Sequence, residues 1–335
     1  FDDDPSELAR VEIDVQATAT DPTPPPPASV AGVRRITSEP LEVVRVEWLD
    51  EITMRYGAGC YNDLFSELDW YLYSMVSRTP IAIQFADIGL LTPNFLEQAG
   101  LSDPAVLRHS HLKFAPGRSR GVYQNEINTV FTIERNGSFR RLVFDNLSRF
   151  SLQQFKWLPG NERFVAIYYG ALGDEVRYFT AGIDGQRISR SAHDNIPSQT
   201  LPGISPDGTR AVITTTIDDV TGYYLAQTTG DGIELLFEAE PPGNNWPNPI
   251  YVPGSGPNDA SIYIFRPIDG VPTLECLNLA SRERAELTEL PLVIDSNTRA
   301  TASHSPRGDI IALGANGVNG GAWTIDMSSI PACPG

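Results

Sequence analysis

The chain has 335 residues, 41% of them hydrophobic, enough to bury a sizeable core in one large domain or two ordinary ones. Its formal net charge of −17 opposes phosphate backbones and anionic lipid heads, so neither nucleic acid nor a membrane surface is expected as a partner. No apolar run reaches the ~18 residues of a membrane helix, and 28 glycines with 27 prolines favour tight turns over long helices.

Residues 1–32 form an acidic, Pro/Thr/Ala-rich tail, opening Phe1-Asp2-Asp3-Asp4-Pro5 and continuing "ATATDPTPPPPASVAG" (17–32). Prolines 22 and 24–27 cannot donate backbone hydrogen bonds, which predicts a semi-rigid polyproline II spacer. Spacers of this kind join an export signal or anchor to a folded extracytoplasmic domain, and a start at Phe1 rather than Met leads us to expect a segment removed upstream. The expected setting is extracytoplasmic, on or outside a bacterial cell. Three cysteines, Cys60, Cys276 and Cys333, lie far apart without a CxxC spacing. One disulfide plus a thiol and three buried thiols both remain open.

From residue 33 the chain repeats itself. "VRVEWLDEITMRYG" (44–57), "LKFAPGRSRGVY" (112–123), "FKWLPGNERFVAIYY" (155–169), "GISPDGTRAVITT" (203–215), "PIYVPGSGPNDASIYIF" (249–265) and "ASHSPRGDIIALG" (302–314) share one plan: apolar strand, turn, alternating strand. Pro116, Pro159, Pro206, Pro253 and Pro306 stand 43, 47, 47 and 53 residues apart, the period of propeller blades. Each copy continues into a third strand, such as "TVFTIER" (129–135), and a fourth, such as "SFRRLVF" (138–144). Asn136-Gly137 and Asp184-Gly185 between them suit type I′ hairpins. The sixth copy ends after its third strand, while "GVRRITSEP" (32–40) reads as an orphan fourth strand, so residues 33–37 are expected beside 321–327 to close the ring.

The predicted fold is an all-β, six-bladed propeller of four antiparallel strands per blade. Its blades span about 42–85, 111–145, 153–191, 201–238, 247–290 and 300–328 with 33–37. "ISPDGTRA" and "HSPRGDIIA", with an outer strand of "RRIT" type, resemble the TolB-like six-bladed propeller repeat across 33–330. The resemblance implies the fold. Known members include periplasmic interaction proteins and the gating domain of prolyl oligopeptidases. Within these 335 residues we expect neither the α/β-hydrolase domain of the latter nor the N-terminal α/β domain of the TolB protein, whose place the proline-rich tail takes.

Candidate sites are few. Asp207-Gly208 lacks the multiple acidic positions of a calcium loop, and equivalent copies hold Arg118, Asn161, Ser255 and Arg307, so a structural turn is expected. His109 and His111 sit on one side of an extended segment and are a candidate metal pair, though spacing names no third ligand. No G-x-S-x-G elbow accompanies His193 or His304. Asn136 and Asn146 carry the N-glycosylation pattern, and a hairpin position explains Asn136 without sugar. Two insertions, 57–68 and 86–110, fall on the loop face opposite the Pro-Asp-Gly turns and mark the expected binding face, with a short helix around 94–98. Tyr61, Phe65, Phe95, Asn245 and Trp246 are candidate contacts there, and Trp246 is equally explained by packing within the ring. The expected function is a non-catalytic module that binds a protein partner or copies of itself, with the tail docking on a neighbour and no cofactor. The rival is a glycan hydrolase or lyase with acidic residues at the channel mouth.

Overall fold

The computed structural model describes residues 30–60, 68–83, 112–115, 120–124, 129–134, 138–142, 150–158, 162–170, 175–184, 187–194, 203–228, 232–239, 245–252, 261–294, 298–317 and 319–334. Among these there is no α-helix. The first strand, β1 (Val33–Arg35), belongs to the last blade. Blade 1 is β2 (Val43–Trp48), β3 (Thr53–Ala58), β4 (Asp69–Ser74) and β5 (Pro80–Ile83). Blade 2 follows with β6 (Leu112–Phe114), β7 (Arg120–Gln124), β8 (Val130–Glu134) and β9 (Phe139–Leu142). Blade 3 has the longest strands, β10 (Phe150–Trp157), β11 (Arg163–Gly170), β12 (Glu175–Gly182) and β13 (Arg187–Asp194). Blade 4 is β14 (Gly203–Ile204), β15 (Arg210–Ile217), β16 (Val220–Gln227) and β17 (Ile233–Glu238). Blade 5 is β18 (Ile250–Tyr251), β19 (Ser261–Ile268), β20 (Val271–Asn278) and β21 (Arg284–Glu289). Blade 6 is β22 (Ala300–His304), β23 (Ile310–Ala315) and β24 (Gly321–Asp326), with β1 outermost. All pairings are antiparallel, and the six sheets stand in a propeller ring.

Local chemistry sets the hairpins. β15 is rich in β-branched residues, and its turn into β16 places Asp218 and Asp219 at φ 49° and 66°, the left-handed pair that matches strand twist. The first-to-second-strand turns of blades 4 and 6 use one hydrogen-bond plan. In blade 4 the Asp207 carboxylate accepts from Ser205 Oγ (2.6 Å) and Thr209 N (3.0 Å), while Ser205 Oγ accepts from Arg210 N (2.9 Å). Burial alone would raise the Asp207 carboxyl, but the bonds from Ser205 and Thr209 outweigh it and hold it below its ordinary value. In blade 6 Ser305 repeats the part, donating to Asp309 (2.5 Å) and accepting from Ile310 N (3.2 Å). Gly208 and Gly308, both at φ 78°, supply the turn's left-handed position. Asp207 is thus the centre of a structural turn. The Asn136-Gly137 turn lies outside the described residues.

The core lies between blades rather than within them. Val122, Phe155, Trp157 and Phe179 join blades 2 and 3; Leu158, Tyr178, Ile204 and Ile213 join 3 and 4; Val212, Tyr223, Tyr251 and Ile264 join 4 and 5. Tyr263, Leu274, Leu313 and Trp323 link blades 5 and 6, and Val43, Val46, Met54 and Ala312 seal 6 against 1. A Cβ on Gly314 would meet Val43 and Val46 at 2.8 Å, so that last seam closes only around a residue without one. At the rim, Val33, Arg34 and Arg35 of β1 pair with Ile325, Thr324 and Trp323. The Arg35 guanidinium lies 5.4 Å from the Trp323 ring, and its Nη2 donates to Gly320 O (2.6 Å). Cys276 on β20 and Cys333 in the C-terminal segment form a disulfide, with Cα atoms 5.6 Å apart; Cys60 is exposed and outside it.

Candidate functional site

The repeat brings one position of every blade to the axis. The residue three places before the turn residue is Glu47, Lys113, Lys156, Gly203, Ile250 and Ser303 in blades 1 to 6, and all six line a central cavity of about 230 Å³. The next residue along also borders the cavity in blades 1, 3 and 6, as Trp48, Trp157 and His304. Trp48 and Trp157 occupy that place, and their indole N–H groups donate to the carbonyls of Ser303 (3.0 Å) and Lys113 (3.1 Å) on the preceding blades. Each indole therefore fixes the backbone of the ring position beside it. The cavity sits at the turn end of the inner strands.

The ring is unequal around the axis. Blades 1 to 3 supply Glu47, Lys113 and Lys156, the last two being the only lysines of the chain. Glu47 Oε2 accepts from Arg55 Nε (3.0 Å) and Nη2 (2.5 Å), and Glu47 Oε1 accepts from Lys113 Nζ (2.8 Å). Arg55 is its cross-strand neighbour on β3 and is buried with its guanidinium 4.6 Å from the Trp70 ring. Lys156 Nζ donates to Ile204 O (3.0 Å), and among the described residues no carboxylate pairs with it. Burial, then the positive charge of Lys113, lowers the Lys156 ammonium to about 8. Burial and then Lys156 likewise push His304 down to about 4, against the bond between its Nδ1 and Ser305 O (2.7 Å). That bond places the neutral ring's proton on Nδ1 and leaves Nε2 an acceptor.

Blades 4 to 6 contribute small or apolar groups. A Cβ on Gly203 would lie 2.3 Å from the Pro249 carbonyl oxygen of the next blade. Because a backbone oxygen is the obstacle, Gly203→Ala is expected to destabilise the protein by roughly 1–3 kcal/mol, read as a lower midpoint in urea unfolding at unchanged slope. An unchanged midpoint would show that blades 4 and 5 have slack at the axis.

The residues singled out by sequence fare differently. Trp246 is 8% exposed and packs with Ile250, Tyr263 and Trp323 in the seam of blades 5 and 6, which is the packing alternative. Asn245, beside it, accepts at its backbone carbonyl from Ala300 N (2.8 Å), linking the same two blades. Tyr61, Phe65, Phe95, His109 and His111 lie outside the described residues, as do most of the insertions 57–68 and 86–110. Sequence reasoning did not single out Glu47, Lys113 or Lys156, although a shared repeat position held the chain's only lysines.

No family model matches the sequence, and no curated protein matches it. Solved structures similar in fold include TolB from Acinetobacter baumannii, at 11% identity and TM-score 0.45, covering 77% of this chain and 56% of that one. An oligogalacturonate lyase from Vibrio parahaemolyticus has 10% identity and TM-score 0.45, covering 88% of this chain and 82% of its own. The β-propeller domain of the trilobed protease from Pyrococcus furiosus has 6% identity and TM-score 0.43, covering 83% and 80%. The chain thus spans little more than half of the TolB structure, and the likeness is one of fold.

Proposed function

We propose that this propeller is a non-catalytic binding module working outside the cytoplasm, whose partner is a protein or further copies of the chain. One observation supports this reading over the glycan-hydrolase alternative. Glu47 is the only acidic residue among the described residues lining the cavity, and Arg55 and Lys113 hold both of its oxygens. Hydrolysis by paired acids needs a second carboxylate, and the oxygens of Glu47 are engaged by Arg55 and Lys113. The disulfide between Cys276 and Cys333 supports an oxidising compartment, and among the described residues no helix is long and apolar enough to cross a membrane. We place the partner contact on the insertion-bearing face, around Tyr61, Phe65, Phe95 and Asn245, with the acidic tail docking on a neighbour; loop length on one face of a repeat scaffold is the support.

Sedimentation of the full chain from ~1 to ~100 μM, beside assays on a panel of neutral and acidic glycans, tests this proposal. The expected result is a weight-average mass that rises with concentration, with no glycan cleaved. A fixed monomer mass removes self-assembly and leaves only a separate protein partner. Turnover of any glycan that survives repurification overturns the non-catalytic assignment.

A further inference from the structure

From the ring of side chains at the turn end of the channel, we infer that the cavity is a binding site for a short-chain organic carboxylate, held between the ammonium groups of Lys113 and Lys156 with its carbon stem against the opposite wall. This site is separate from the partner face proposed above and stands whether or not a partner is found.

Three observations converge on it. The first is placement. A chain of formal net charge −17 has two lysines, and both fall on the same repeat position and line the same cavity. A solvated lysine needs no such company, and exposed positions elsewhere in the ring of blades use arginine instead.

The second is electrostatic. The Lys156 ammonium is withdrawn from water, and the positive charge of Lys113 lies close enough to lower it further. Holding like charges together in a partly desolvated cavity is unfavourable by itself, and an anion between them relieves both the repulsion and the lost hydration. Glu47 does not do this for Lys156, because its two oxygens are already engaged by Arg55 and Lys113. His304, with its ring proton on Nδ1, offers Nε2 as an acceptor for an acid or hydroxyl proton.

The third is shape. Beside Asn248, Ser303 and His304, the wall away from the lysines is Pro249, Ile250, Ala302 and Pro306, which suit a hydrocarbon stem. The volume of about 230 Å³ is below the ~300–1,000 Å³ of drug-sized pockets, so the ligand is a small acid.

Having only two lysines makes the test direct. Butyrate and inorganic phosphate would be titrated into the full chain by calorimetry. In parallel, reductive methylation would be followed by peptide mass spectrometry, which reports Lys113 and Lys156 individually. Saturable butyrate binding that slows methylation of Lys156 at least threefold is expected. Lys156→Met should weaken that binding at least tenfold while leaving the unfolding midpoint unchanged or higher. Arg34→Met, on the outermost strand, should bind as the parent does. Inorganic phosphate binding as tightly as butyrate would overturn the carboxylate assignment in favour of a general anion site. Absence of saturable heat together with equal methylation with and without butyrate would overturn the site itself. Neither result bears on self-assembly or on glycan turnover, so the two proposals fail separately.

Discussion

Replacing Glu47 with alanine is expected to lower stability by about 3–5 kcal/mol. The carboxylate is 7% exposed and joins three donors: Arg55 Nε and Nη2, and Lys113 Nζ. Arg55 sits opposite it in the β2–β3 register and is 1% exposed, so truncation removes a carboxylate from a guanidinium held out of water beside Trp70. Removing one partner of a buried pair costs far more than the pair is worth, because the remaining charge keeps its desolvation penalty. A second variant isolates that penalty. Glu47→Met with Arg55→Met removes both charges at similar volume and should recover most of the loss. Urea unfolding of the two variants at neutral pH decides the matter. A cost below about 1 kcal/mol for Glu47→Ala, or a double variant no better than the single, would mean that water reaches this corner of the channel.

The same residues show where sequence reading succeeds and where it stops. Blade architecture is legible because a Pro-containing turn recurs every 43 to 53 residues, and two of these turns share a hydrogen-bond plan, at Ser205-Asp207 and at Ser305-Asp309. The ring position was present in the same alignment of copies. Reading it requires knowing which face of the innermost strand meets the axis, and alternation cannot say when both faces are buried, as at Lys156-Trp157 or Ile250-Tyr251. The side chain of Trp246 illustrates the converse: an aromatic in a Pro- and Asn-rich connection looks exposed, yet the ring of blades packs across it. Insertions drew attention by length to one end of the channel, whereas charge, which is scarce on the lysine side of this composition, gathers at the other.

Cysteine pairing was beyond sequence for a related reason, and it yields the second large effect. Three cysteines allow three pairings, and choosing among them requires the path of the segment after β24. That segment passes a 3₁₀ turn at Met327–Ser329 and returns to blade 5, where Asn278 Nδ2 donates to Pro334 O (3.1 Å) and Cys333 meets the fully buried Cys276. The bridge spans 57 residues, for which the chain-entropy relation gives about 4 kcal/mol. Its position adds to that. β24 is held on one side by β1 and continues into a tail anchored to the neighbouring blade, so blade 6 is tied to the ring through both ends of the described chain. Cys333→Ser, or reduction of the parent, should therefore lower the melting temperature by about 5–10 °C. Cys60→Ser, which leaves the bridge intact, should not change it. If Cys333→Ser melted with the parent, blade 6 would be held by its β1 pairing and its seam with blade 1 alone. The argument for an oxidising compartment would then lose its physical basis, since a bridge that stabilises nothing gives the fold no reason to need one.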